Sequence, residues 1–387
     1  MNQRITPRGV GLLAAAVAAL AAGFAFGYPE FGLLGTAGVV AVGFAFAYAM
    51  SHPALSVRRA AAPDRVGRGE ACTVTLTVGN GSRLRAATLV AHDRCGARTV
   101  PVPLVRLRPR RDTVVSYPVP TDRRGVVPIG PLRVTRQDPL GLVSAARGHG
   151  EAVRVWVYPR IHPLTAVPAG VARSLDGRID RVPHGSITFD TLREYVIGDE
   201  LRHVHWRTSA RVGELMVREH LDTSLPRIVV LLDNRATVYG TDAEAFESAC
   251  EAAASVVAAA VREELPVALH LVGGERAGTD GRRAETARPF LDLLAEAELT
   301  AGGALTPAVD GLRHRPAGDT LLLLTGAAGR ADLGEVASLR GRYASLLAAV
   351  FTGETGAAPH RGADGLAVLD ARDGADFAAQ WEAVRSW

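Results

Sequence analysis

The chain has 387 residues, 48% hydrophobic and 22% charged, which excludes a disordered polymer and leaves room for a membrane anchor and two modest folded domains. The formal net charge is +4, but all 44 basic residues are arginine and acids are interspersed among them, so no nucleic-acid partner is expected. Cys72, Cys95 and Cys250 form no CxxC pair and no zinc-ligand spacing, and buried free thiols are expected rather than a disulfide framework.

Residues 1–54 read as a transmembrane hairpin. Val10 to Tyr28 and Phe31 to Met50 are almost wholly apolar and uncharged, with Pro29-Glu30 separating them. Each run is long enough to cross roughly 30 Å of hydrocarbon at about 1.5 Å per residue. Frequent Gly and Ala predict close helix packing. Arg4 and Arg8 precede the hairpin, and Arg58, Arg59, Arg65 and Arg68 follow it. The positive-inside rule then places both termini in the cytoplasm, as a multi-pass protein of the cell membrane. A cleaved signal peptide would account for the first run alone.

Residues 55–165 read as a small antiparallel β-sandwich. "ACTVTLTVGN" alternates with period two, and "ATLVAHD", "TVVSYPVP", "PLRVTRQ" and "AVRVWVYPR" are further strands between Pro and Gly breaks. "RRGVVPIG" and "QDPLGLV" read as turn-rich segments, and His92-Asp93 as a solvated loop. Residues 166–225 form a linker. Residues 226–387 then alternate strands with helices. The strands are "RIVVLLDN", "VALHLVG", "DTLLLLTG", "ASLLAAVFT" and "LAVLD". The helices begin with a capping box at Thr241-Asp242-Ala243-Glu244, followed by "RPFLDLLAEAEL", "LGEVASLRGR" and residues 373–386. That order predicts an open, mostly parallel α/β sheet with ligand sites at the carboxyl ends of its strands, where Asp233 lies. No glycine-rich phosphate loop and no G-x-S-x-G elbow is present.

Asp190 to His220, "DTLREYVIGDELRHVHWRTSARVGELMVREH", concentrates acids, bases, aromatics and histidines. It resembles the signature of the bacterial family called domain of unknown function 58. The resemblance rests on Leu192-Arg193-Glu194-Tyr195, Gly198-Asp199, Arg202, His205-Trp206, Ala210-Arg211, Gly213-Glu214-Leu215 and Val217-Arg218-Glu219. Ile197 stands where that family usually has proline, and the upstream "RRG", "DPLGL" and "VYP" are also similar to it.

The resemblance implies a von Willebrand factor type A-like fold for the α/β domain. It also implies a partner, a MoxR-type AAA+ ATPase. Domains of that fold often hold a divalent cation through Asp-x-Ser-x-Ser, a later threonine and a further aspartate. Here Asp233 and Thr237 match the ends of the first motif and Thr306 is the candidate later threonine, but Arg235 replaces the middle serine. A cation requires oxygen ligands and an arginine supplies a fixed positive charge, so no metal or other cofactor is expected, and Asp233 is expected to pair with Arg235 or a backbone donor.

Three readings of the central stretch compete. A hydrolase would use Asp199, Glu200, His203 and His205 as acid–base groups, or Ser209 as a nucleophile. A metal site would use His203 and His205, but the stretch from Glu200 to Arg211 predicts a short helix ended by Gly213, where residues two apart diverge. The preferred reading is a structural and docking hub. It comprises Arg193, Glu194, Tyr195, Gly198, Asp199, Arg202, His205, Trp206, Ala210, Arg211, Glu214 and Arg218, since balanced Arg–carboxylate sets pair bidentately and Arg, Tyr and Trp are favoured at binding hot spots. The expected function is a non-catalytic, membrane-anchored adaptor or assembly factor. The alternatives are a hydrolase or a divalent-metal-dependent ligand-binding module.

Overall fold

A computed structural model describes residues 2–50, 55–80, 90–102, 112–165, 190–195, 204–220, 227–279, 283–314, 319–353, 360–361 and 365–384. The chain divides into two compact units, Met1–Val157 and Tyr158–Trp387.

The first unit begins with β1 (Asn2–Ile5), α1 (Pro7–Phe26) and α2 (Pro29–Met50). Both helices are long and apolar enough to span a membrane. Thr6 caps α1, its hydroxyl accepting from the Gly9 amide. Pro29 and Glu30 open α2 instead of separating the two helices, because proline is well suited to a helix's first turn, where its missing N–H has no partner to lose. The helices approach closely: a Cβ on Gly35 would lie 2.7 Å from the Ala16 carbonyl oxygen.

The strands of this unit follow as β2 (Leu55–Ala62), β3 (Arg65–Gly67), β4 (Thr73–Asn80), β5 (Val90–Cys95), β6 (Arg98–Val102), β7 (Asp112–Pro118), β8 (Gly125–Ile129), β9 (Leu132–Gln137), β10 (Val143–His149) and β11 (Val153–Tyr158). Among the described residues they form two sheets. One is β2-β4-β7; the other runs β1-β10-β9-β5-β8-β11-β3, with β6 paired to β5. The period-two pattern of β4 buries Val74, Leu76 and Val78 against Ala91, Cys95, Ile129, Leu132, Val155 and Val157 of the larger sheet. Each large apolar side chain so buried stabilises the sandwich by roughly 1.5–3 kcal/mol.

Two expectations are corrected here. "RRGVVPIG" contains strand β8, whose Val126 and Val127 pair with Trp156 and Val155. Asp93 is not in a solvated loop; it lies on β5 at 0% exposure. Its carboxylate accepts from Arg59 Nε and Nη2 and, at 2.5 Å, from the Tyr117 hydroxyl. Arg59 and Tyr117 belong to the smaller sheet and Asp93 to the larger, so the trio bolts the sandwich together. Burial and the Asp93 hydrogen bond raise the Tyr117 phenol far above its ordinary range. All three cysteines are buried and none is in a disulfide. Burial also pushes the Cys72 and Cys95 thiols up.

In the second unit, residues 158–165, which sequence pattern groups with the β region, pack on the α/β core. Tyr158 donates to Asp292 at 2.6 Å, His162 pairs with Glu251 at 3.0 Å, and Leu164 is buried. β12 (Asp190–Glu194), α3 (Trp206–Val212) and β13 (Met216–His220) follow. The α/β elements are β14 (Ile228–Leu232), α4 (Ala236–Tyr239), α5 (Ala243–Arg262), β15 (Val267–Leu271), β16 (Arg276–Gly278), α6 (Arg288–Glu296), α7 (Leu305–Arg313), β17 (Thr320–Gly326), a 3-10 turn (Ala327–Asp332), α8 (Leu333–Ala337), β18 (Ser345–Phe351), β19 (His360–Arg361), β20 (Ala367–Ala371) and α9 (Gly374–Val384). Asp242 rather than Thr241 caps α5, accepting from the Ala245 amide.

The sheet order is β16-β15-β14-β17-β18-β20-β19. β14, β15, β17, β18 and β20 are parallel, and β16 and β19 are antiparallel edges. α5, α6 and α9 cover one face, and α7 and α8 the other. Burial on both faces explains why "IVVLL" and "TLLLLTG" are continuously apolar instead of alternating.

Candidate functional site at the carboxyl ends of the central strands

β14 and β17 are adjacent and parallel, yet the chain leaves them toward opposite faces. After β14 it enters α4 and α5; after β17 it enters the 3-10 turn and α8. That divergence is a topological switch point, where open α/β sheets form their ligand crevice. Asp233 stands at this point at 0% exposure. The Arg235 guanidinium grips it with Nε on Oδ1 at 2.9 Å and Nη2 on Oδ2 at 2.7 Å. The Arg235 amide adds a bond to Oδ1 at 3.2 Å, and the Thr325 hydroxyl donates to Oδ2 at 2.8 Å. Arg235 Nη2 also reaches Asp332, at the end of the 3-10 turn, at 2.7 Å. These hydrogen bonds, first that to Asp233, hold the Arg235 guanidinium well above its ordinary range despite burial.

Two further contacts brace the cluster. The Asn234 amide donates to the Glu298 carbonyl, and its oxygen accepts from the Gly273 amide, tying in the loop after β15. Arg330 in the 3-10 turn pairs with Asp370 on β20. The turn is therefore pinned at both of its charged residues. Its path past Thr325 requires Gly329, where a Cβ would sit 2.0 Å from the Thr325 hydroxyl oxygen.

The expected pairing of Asp233 with Arg235 is present. The expected threonine is not: Thr325, not Thr306, meets Asp233, while Thr306 donates to Glu335 on α8 and Thr237 is exposed on α4. Thr325 and Asp332 were not singled out in the sequence. Thr325 ends an apolar strand, which is a usable signal, but Asp332 is brought in by a turn whose path is not encoded in any local motif. Among the described residues there is no cluster of three or more His, Cys, Asp or Glu suited to a metal ion.

Within 190–220, β12 and β13 pair as an antiparallel ribbon, and α3 precedes β13. Asp190 pairs with His220 and Glu194 with Met216; Arg193 lies opposite Val217, and Arg218 opposite Leu192. Gly213 ends α3 in the left-handed conformation, as expected. His205 caps α3, Nδ1 accepting from the Thr208 amide. Ser209 is buried, its hydroxyl donating to the His205 carbonyl and accepting from the Met216 amide at 2.8 Å, so it is a strut between helix and ribbon. Tyr195 is half-buried and donates its amide to Leu215. Trp206 is 63% exposed, and Ala210, Arg211 and Glu214 are exposed as well. Gly198, Asp199, Glu200, Arg202 and His203 lie outside the described residues.

The architecture defines a class: an apolar helical hairpin joined to a β-sandwich, followed by an open α/β unit. Residues 191–328 match the family described as "Protein of unknown function DUF58". A curated relative, "Uncharacterized protein YeaD" of Bacillus subtilis (strain 168), is 24% identical over 170 residues, covering 43% of this chain. The match spans 41% of that relative's length. Among solved structures, the CARDB domain of the PF1109 protein in complex with di-metal ions, from Pyrococcus furiosus, matches 27% of this chain and 93% of its own at 16% identity and a TM-score of 0.20. The PKD domain of an M14-like peptidase from Thermoplasmatales archaeon SCGC AB-540-F20 matches 26% and 92% at 13% identity and a TM-score of 0.18.

Proposed function

We propose that this protein is a non-catalytic adaptor or assembly factor. In this reading α1 and α2 anchor it in the cell membrane with both termini cytoplasmic, and the α/β unit is von Willebrand factor type A-like. Arg235 stands where a divalent cation would otherwise sit, and the protein works with a MoxR-type AAA+ ATPase. The observation that carries the reading is the occupied switch point: the crevice where such a sheet ordinarily takes a ligand is filled by the chain's own guanidinium, held by two carboxylates. Trp206 and Arg211, exposed on one short helix, supply side chains of the kind that anchor protein interfaces. The hydrolase alternative loses support at Ser209, whose hydroxyl is engaged by two main-chain groups.

The test is purification of the full-length protein from its native membrane beside a Trp206→Ala, Arg211→Ala variant. The expected result is an AAA+ ATPase that co-purifies with the wild type and is lost from the variant, with thermal unfolding unchanged. Failure to recover an ATPase with the wild type, or equal recovery with both proteins, overturns the reading.

A further inference from the structure

The stretch Asp138-Pro139-Leu140-Gly141-Leu142 forms the β9–β10 turn, and most of the polar main chain of Asp138 and Gly141 and the Leu142 carbonyl are paired within the protein. Asp138 is buried, and its carboxylate accepts the amides of Leu140 at 2.9 Å and Val143 at 2.7 Å. The Gly141 amide bonds the Asp138 carbonyl, and the Asp138 amide bonds the Val143 carbonyl. Pro139 has no amide hydrogen to place. The Gly141 carbonyl accepts from the Thr6 hydroxyl at 2.6 Å, and the Leu142 carbonyl accepts from the Thr6 amide at 2.9 Å. The turn leaves Pro139 and Leu140 outward, Leu140 at 60% exposure.

The turn is also fixed at a definite level of the helical hairpin. It meets α1 at its first turn, where Gly9 allows the contact; a Cβ there would lie 2.2 Å from the Leu142 carbonyl oxygen. Leu142, Val143 and Ala145 pack with Ala45 and Ala49 near the end of α2 and with Leu12 and Val42. Leu12 lies five residues beyond the start of α1, about 7 Å along the axis. The turn thus reaches inside both ends of the hairpin. Pairing of the Asp138 and Gly141 main chain lowers the cost of bringing irregular backbone to that depth.

We propose that this turn is a wedge seated in the interfacial layer of the bilayer, with Leu140 among the upper acyl chains. Leu142, two residues on, packs against the apolar hairpin, so the partner that the outward Leu140 fits is lipid. The β-sandwich is then clamped to the membrane surface at two places, the hairpin and the wedge, instead of hanging from a tether. The proposal rests on the reading that α1 and α2 span the bilayer.

Three single substitutions test it in the full-length protein: Leu140→Cys, Val40→Cys in the middle of α2, and Ala97→Cys. The native thiols are buried, so an environment-sensitive fluorophore labels the introduced ones. Ala97 lies at the far end of the sandwich. Five residues of β9 separate Asp138 from Arg133, which pairs with His92, and five more separate His92 from Ala97, roughly 30 Å in all. The proteins are reconstituted in phosphatidylcholine–phosphatidylglycerol vesicles containing spin-labelled lipid. The expected result is loss of emission at Leu140 with the label near the headgroup, loss at Val40 with the label deep in the acyl chain, and no loss at Ala97. A Leu140 site as insensitive as Ala97, with Val40 quenched, rejects the wedge and leaves the span intact. An insensitive Val40 rejects the span and the wedge with it.

Discussion

Replacing Arg235 with serine removes two bonds to a carboxylate at 0% exposure and one to Asp332. Breaking a buried ion pair from one side costs about 3–5 kcal/mol, because the remaining charge is left desolvated. Here the lower end applies, since the Thr325 hydroxyl and the residue-235 amide still bond Asp233. For a unit of this size, residues 158–387, each kcal/mol lowers Tm by about 2–4 °C, so Arg235→Ser should melt about 6–12 °C below the wild type. The substitution also changes the chemistry of the crevice. With the guanidinium gone, Asp233, Asp332, Thr325 and the new serine present oxygen ligands suited to Mg²⁺ or Ca²⁺. Saturating cation at about a hundredfold its Kd would restore about 2.7 kcal/mol. The assay is thermal unfolding of the detergent-solubilised full-length protein with and without each cation. A cation-dependent rise in Tm is expected in the variant and none in the wild type. If the variant melts with the wild type, or if the wild type gains as much from cation, the reasoning is wrong.

Asp93→Ala should destabilise the first unit by about 3–5 kcal/mol, because it strands the Arg59 guanidinium, 2% exposed, inside the sandwich; chemical denaturation monitored at Trp156 measures it. Tyr117 binds its proton more tightly folded than unfolded, so the stability it contributes is intact below the unfolded value of about 10 and declines as pH rises from there toward the folded value. Tyr117→Phe should flatten that alkaline decline, and denaturation midpoints between pH 9 and 11 would test it at about that range. Ser209→Ala leaves the Met216 amide without its acceptor, a loss of about 1–3 kcal/mol. It should appear as faster hydrogen exchange across residues 205–216, with the α/β strands unchanged; an unaltered exchange rate would remove the strut role.

The arrangement of Arg59 has a bearing on topology. Counted by sequence, it is one of the arginines flanking the hairpin, yet the folded chain buries it against Asp93. Arg58 beside it is exposed and pairs with Asp112. Neighbouring residues of one strand thus point to opposite faces and carry different roles, one holding the sheets together and the other facing solvent.

Much of this protein was legible in its sequence because the physics involved is local or periodic. Two apolar runs of helical length report two helices, and the alternation of "TVTLTV" and the unbroken apolar strands "IVVLL" and "TLLLLTG" each report their own burial, whatever their partners. Gly213 ends α3 for a reason contained in one residue, its freedom to adopt the left-handed conformation. The pairing of Asp233 with Arg235 was also accessible, two residues apart at a strand end. The rest depended on contacts between residues far apart in the chain. Asp93 reads as a loop aspartate until Arg59 and Tyr117 arrive from the opposite sheet, and Thr325 and Asp332 join Asp233 from more than ninety residues away. Likewise the "DPLGL" turn is an ordinary turn in sequence, and only the fold sets it against Thr6 and Gly9 at the mouth of the hairpin. Periodicity determines which face of an element is buried; the partner waiting on that face is decided by topology, which no short stretch of chain encodes.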